Sequence, residues 1–133
     1  MAENWYQKGK DHYYSMSYFD AVQCLREAVR LDPEKSSHHK LLARALTKNP
    51  KWRKEAESHY RQALKKDQFD LECYLGLAEI YEASAMTLRA FKMYQMVLGY
   101  DPDNKVARAK LYDKTKEAGG LKKLKNIIRR KQE

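Results

Sequence analysis

The chain has 133 residues, 43 % of them hydrophobic and 34 % charged, with only 5 Gly and 3 Pro. That is the balance of one soluble helical domain with short loops, and no apolar run approaches the roughly 18–20 residues of a membrane span. The net charge of +9 is uneven: residues 1–104 carry 16 Lys+Arg against 15 Asp+Glu, residues 105–133 carry 11 against 3, which excludes a uniformly basic domain.

The N-terminus, MAENWYQKGK, is polar and has no apolar core of a secretion signal. Cys24 and Cys73 stand far apart with no metal-type spacing, so free thiols in a reducing cytoplasm are expected.

In chain order, the first predicted helix covers residues 3–15 and the second 18–31, with Trp5, Leu25, Val29 and Leu31 on apolar stripes. Gly9 falls in the middle of the first helix, where it costs about 1 kcal/mol relative to Ala, so a close helix contact is expected there. Asp32-Pro33 stops the second helix, because the residue before Pro avoids the α region. The same skeleton then returns twice at about 34 residues. Gly9, Ala21, Ala28 and Pro33 correspond to Ala43, Ala56, Ala63 and Gln68, and again to Ala78, Ala90, Val97 and Pro102.

The second copy has an enlarged turn over residues 47–53, and Gln68 in place of Pro predicts a less sharp helix end. Trp52 in that turn is expected to fold back over the helix junction, with an exposed anchor for a partner as the alternative. Asp70 and Asn104 are placed to cap the helices that follow them, a role that Ser36 or Ser37 would take in the second copy. Residues 105–118 begin like another first helix, with Arg108, Leu111, Tyr112 and Thr115 at its offsets, before Gly119-Gly120 breaks it. Residues 121–131 read as a short basic helix with Leu121, Leu124, Ile127 and Ile128 on one stripe.

These three copies resemble the tetratricopeptide repeat (TPR). The pattern positions read Trp5, Lys8-Gly9, His12, Ala21, Leu25, Ala28 and Pro33, then His39, Leu42-Ala43, Leu46, Ala56, Tyr60, Ala63 and Gln68, then Tyr74, Leu77-Ala78, Tyr81, Ala90, Tyr94, Val97 and Pro102. The resemblance implies an all-α, right-handed superhelical array of three helix-turn-helix units (2–35, 36–70, 71–104), a capping helix over 105–118, and a basic C-terminal helix or tail over 119–133. The first helix has no cap before it, so a C-terminal module of a longer protein is expected, and residues 48–57 also resemble TPR segments found beside J-domains or receiver domains in bacterial proteins, which implies a bacterial-type module.

In that family the first helix of each unit lines a concave groove that binds proteins. The resemblance therefore implies an adaptor or scaffold whose groove residues are Tyr6, Lys10, Tyr13 and Tyr14 in the first unit, Lys40, Arg44 and Lys48 in the second, and Glu72, Leu75, Glu79 and Glu82 in the third. Such a groove is aromatic at one end, basic in the middle and acidic at the other. One reading is a site for a peptide or protein segment, with stiff tyrosines as contact area and Lys40, Arg44 and Lys48 attracting acidic groups. The other is that Arg44 and Lys48 pair with Glu79 and Glu82 and need no ligand, since exposed pairs contribute only about 0–1 kcal/mol.

The family's clamp for the C-terminal carboxylate of heat-shock chaperones requires Lys and Asn in the first unit, Asn in the second, and Lys and Arg in the third. Those positions hold Tyr6, Lys10, Leu41, Glu72 and Gly76, and Glu72 repels a carboxylate, which excludes that mode. The tail cations Lys122, Lys123, Lys125, Arg129 and Arg130 have three readings: a packed cap, a helix on an anionic membrane, or contact with nucleic-acid phosphates. Self-association through an uncapped N-terminal face is a further possibility. No enzyme is expected: no nucleophile motif, phosphate loop, small-molecule substrate site, cofactor site or metal set stands out. His38 and His39 are adjacent rather than one helical turn apart, and His59 lacks a ligand-spaced Cys or carboxylate.

Overall fold

Gly9 lies where no side chain fits. A Cβ there would stand 2.6 Å from Leu25 Cγ and 3.4 Å from the Ala21 carbonyl oxygen, which is how closely the first two helices of the computed structural model approach. Residues 1–117 are described, with side chains through Tyr112. They form α1 (Ala2–Tyr14), α2 (Tyr18–Leu31), α3 (Ser36–Leu46), α4 (Arg53–Lys66), α5 (Leu71–Ala83), α6 (Thr87–Tyr100) and α7 (Lys105–Glu117). A 3₁₀ turn, Pro50–Trp52, leads into α4, and no strand occurs among the described residues.

The helices pack as hairpins α1/α2, α3/α4 and α5/α6, each also touching the next, with α7 laid on α6. The small-residue skeleton makes this possible. Ala21, Ala28, Ala43, Ala56, Ala63, Ala78, Ala90 and Val97 are all buried, so helix backbones meet with little side chain between them. Leu25, Tyr60 and Tyr94 recur at one position of the second helices and fill the larger spaces. Removing such a side chain from water contributes about 1.5–3 kcal/mol.

The helix ends follow local chemistry. Asp32, Asp67 and Asp101 close α2, α4 and α6 with nearly the same backbone: φ −140°, −138° and −138°, ψ 81°, 87° and 87°. The predicted blunter end at Gln68 is therefore absent. Asp67 Oδ1 accepts from the Phe69 N–H at 3.3 Å, and the Tyr74 hydroxyl donates to the Gln68 carbonyl at 2.9 Å, so side chains hold the turn without proline. Asp70 caps α5 by accepting from Glu72 N–H at 3.1 Å, and Asn104 caps α7 by accepting from Ala107 N–H at 3.0 Å. Neither Ser36 nor Ser37 caps α3; both lie inside the helix and Lys35 holds the cap position without a side-chain bond.

Within the hairpins, Met16 (φ 63°) and Ala85 (φ 58°) take the left-handed conformation at the first and third turns. The second turn uses its extra residue instead: Asn49 Oδ1 accepts from Lys51 N–H at 3.0 Å and starts the 3₁₀ turn. Trp52 folds back as expected, half-buried against the core, with Arg26 5.4 Å from its ring centre and gripping Glu55 at 2.8 and 3.2 Å. At the far end Ala107 and Leu111 of α7 are buried, whereas Arg108 and Tyr112 are exposed. The predicted tail residues Lys122, Lys123, Lys125, Arg129 and Arg130 lie outside the described residues.

Candidate functional site

Helices α1, α3 and α5 line one face of the stack, and two adjoining recesses open on it. The larger, about 340 Å³, is lined by Tyr13, Arg44, Thr47, Lys48, Tyr60, Glu72, Leu75, Gly76 and Glu79. The smaller, about 190 Å³, is lined by Tyr6, Lys10, Tyr14, Ser37, Lys40, Leu41, Arg44 and Glu72. Arg44 and Glu72 border both, so the two form one continuous cleft. Ten of the eleven groove residues named from the sequence line it. Glu82 lines neither recess: it faces α7, where Lys110 Nζ stands 3.3 Å from its carboxylate.

The aromatic wall is internally braced. Tyr13 meets Tyr14 and Tyr18 edge-on, with ring centres 5.3 and 5.6 Å apart, and Tyr6 stacks on buried His38 at 4.8 Å. The Arg44 guanidinium lies 5.1 Å from the Tyr13 ring centre and the Lys48 ammonium 5.4 Å from that of Tyr18.

The charges divide unevenly. Lys40 is satisfied: its ammonium donates to Asp70 Oδ2 at 2.9 Å and lies 3.3 Å from Glu72. Burial works against that charge, but the two carboxylates outweigh it and hold the Lys40 pKa above the ordinary lysine value. Arg44 and Lys48 have no carboxylate within ion-pair distance among the described residues; they rest on aromatic rings, and Glu72 acts on Arg44 only from further off. The pairing of Arg44 and Lys48 with Glu79 and Glu82 is thus not what forms. Lys10 and Glu79 likewise have no ion-pair partner among the described residues.

Ser37, Leu41, Thr47, Tyr60 and Gly76 also line the cleft, and of these the contact between Tyr60 and Gly76 escaped the sequence reading. Tyr60 comes from a second helix, α4, and forms the floor, and Gly76 on α5 leaves the space it occupies. A glycine in mid-helix, like Gly9, was the available signal. Burial pushes the Tyr60 phenol well up, so it stays neutral.

Chemistry elsewhere is sparse. Burial also pushes the Cys73 thiol up to about 12, which keeps it protonated and unreactive; Cys24 is free as well. His39 and His59 form a stacked pair, Nδ1 to Nδ1 at 2.9 Å, and His39 Nε2 lies 2.7 Å from the Pro33 carbonyl. The carbonyl only accepts, so His39 Nε2 carries a proton, and in the neutral pair His59 Nδ1 donates to His39 Nδ1. Among the described residues no group of three or more His, Cys, Asp or Glu is placed to hold a metal, and no helix is long and apolar enough to cross a membrane.

No protein-family model and no curated protein matches the chain. Solved structures do. The first TPR of Spaghetti (RPAP3), bound to the HSP90 peptide SRMEEVD, superposes with a TM-score of 0.80 at 22 % identity, over 90 % of this chain and 94 % of that one. The Arabidopsis OM64 TPR domain does so with 0.76 at 22 % identity, over 82 % and 89 %. MamA does so with 0.82 at 18 % identity, over 89 % and 68 %. The chain therefore has the all-α, right-handed superhelical fold of TPR domains, built as three helical hairpins and a capping helix.

Proposed function

We propose that the chain is a protein-interaction module, an adaptor or scaffold that binds an extended protein segment in the cleft between α1, α3 and α5. We also take 2–35, 36–70 and 71–104 as its three units. The observation that carries this reading is the state of Arg44 and Lys48. Both are held over tyrosine rings at the edge of a 340 Å³ recess with no carboxylate within ion-pair distance among the described residues, so their charge borders a space a ligand can enter. A stiff aromatic wall beside unneutralised cations favours tight contact at low entropy cost. The Spaghetti (RPAP3) domain, of like fold, binds the HSP90 peptide SRMEEVD, and the yeast Sti1 TPR2B domain is solved in complex with an Hsp70 species, which supports segment binding as the general mode.

The chemistry of the segment must differ. Glu72 and Gly76 stand where the family's clamp needs cations, and Leu41 where it needs an amide. The test is affinity capture with mass spectrometry, comparing wild type with Tyr13→Ala plus Arg44→Glu, each checked for an unchanged helical melt. Loss of the specifically recovered proteins is expected; identical recovery sinks the groove as the site.

A further inference from the structure

The cleft is electrically polarised along the stack, and this points to the charge pattern of what it binds. On the α1 and α3 side, Lys10 and Arg44 have no ion-pair partner among the described residues, while Lys40 between them is already neutralised by Asp70 and Glu72. On the α5 side the exposed group is the opposite one: Glu79 has no cation within ion-pair distance among the described residues. Glu82, which would extend this acidic wall, is drawn off by Lys110. The open charges therefore run positive, positive, negative across three neighbouring helices, with Leu75 and the Tyr60 floor as apolar surface beside the last step.

Packed helices stand about 8–10 Å apart, α3 and α5 meet less closely than the helices of one hairpin, and an extended chain advances about 3.3 Å per residue. The step from α3 to α5 therefore spans at least about three residues of an extended ligand. We propose that the cleft selects a zwitterionic segment of a partner protein, with acidic residues facing Lys10 and Arg44 and a basic residue at least about three positions beyond, facing Glu79. A wholly acidic segment would set a carboxylate against Glu79, and a wholly basic one would set cations against Arg44 and Lys10. Either mismatch sets like charges against each other and leaves the matched contact unmade. This rests on the groove reading above and sharpens it.

The experiment is selection of a random phage-displayed dodecapeptide library on the wild-type chain, on Glu79→Lys and on Arg44→Gln. Glu79 is exposed, so its variant is expected to fold, and the helical melt verifies all three. Peptides enriched on wild type should pair an acidic residue with a basic one at a fixed spacing of at least about three positions, in one chain direction. On Glu79→Lys the basic position should vanish or become acidic, and wild-type-selected peptides should bind about tenfold more weakly there. Arg44→Gln should relax the acidic position and spare the basic one. Enriched peptides without the acid–base spacing, or a basic position that persists on Glu79→Lys, overturn the charge pattern and leave the groove reading standing. Enrichment of nothing on wild type overturns both.

Discussion

Tyr60 of α4 occupies space that only the absence of a side chain at Gly76 of α5 provides: a Cβ on Gly76 would lie 2.6 Å from the Tyr60 hydroxyl oxygen and 2.7 Å from its Cε2. The pair joins the second hairpin to the third and forms the floor of the cleft. Stack and cleft thus depend on one contact. Gly76→Ala gains helix propensity of up to about 1 kcal/mol, but the methyl displaces a ring that is only 3 % exposed. Overpacking of this kind costs about 1–3 kcal/mol, so Gly76→Ala is expected to be net destabilising. Combining it with Tyr60→Leu should show strong positive coupling in denaturant melts, since the smaller side chain removes the clash. Additive effects would mean that the contact is not the cause.

The HSP90 peptide SRMEEVD, which the Spaghetti (RPAP3) domain binds, is expected not to bind this chain measurably at peptide concentrations of about 100 μM. Glu72 and Gly76 stand in place of clamp cations, and Lys40, the nearest candidate, is already held by Asp70 and Glu72. Calorimetric titration checks this; a clear saturable isotherm would show that other cations rebuild the clamp.

Acid should weaken the fold through the histidine pair. Burial, and then the neighbouring His39, lower the His59 pKa, with Glu55 opposing and Arg26 reinforcing the shift. A group whose folded pKa lies below its unfolded value near 6.5 contributes its full stability above that value, and loses it as pH falls toward the folded pKa. The melting temperature should therefore drop between about pH 7.5 and about pH 5. In His59→Gln that drop should be smaller, because the buried base is gone. An identical acid slope in wild type and variant removes His59 from the account.

Two turns carry backbone strain without glycine. Met16 and Ala85 sit at φ 63° and 58°, a conformation that costs an L-residue about 1–2 kcal/mol. Ala85→Gly should raise stability by about 0.5–1 kcal/mol once the extra freedom of glycine in the unfolded chain is subtracted. Both residues are exposed, so no packing is lost. A lower melting temperature for Ala85→Gly would contradict this.

Asp70 has two duties, one per carboxylate oxygen: it caps α5 through Glu72 N–H and holds Lys40. Asp70→Ala should cost about 1–2 kcal/mol, while Asp70→Asn, which keeps the cap, should cost less than half of that. Equal losses in thermal unfolding would place the stability in the ion pair instead of the cap.

How much was legible in the chain depends on whether a signal is local. The alanines, Gly9, and the Asp70 and Asn104 caps are local, since each states what a backbone needs within one hairpin, and together they determine the repeat and the helices. The Gln68 turn misled because proline is only one way to end a helix; an aspartate turn and the Tyr74 hydroxyl achieve the same backbone. The identities of the cleft residues could be placed by register, which located ten of the eleven. Their electrical state could not. Whether Arg44 meets Glu79 or the Tyr13 ring, whether Glu82 faces the cleft or Lys110, and whether Gly76 admits Tyr60 all depend on where side chains from different hairpins meet. The sequence by itself determined the stack, because small residues at a helical repeat allow few other ways to bury their backbones. Which charges of the cleft stay open is settled by packing between hairpins, because ion pairs and aromatic contacts need side chains far apart in the chain to meet within a few ångströms.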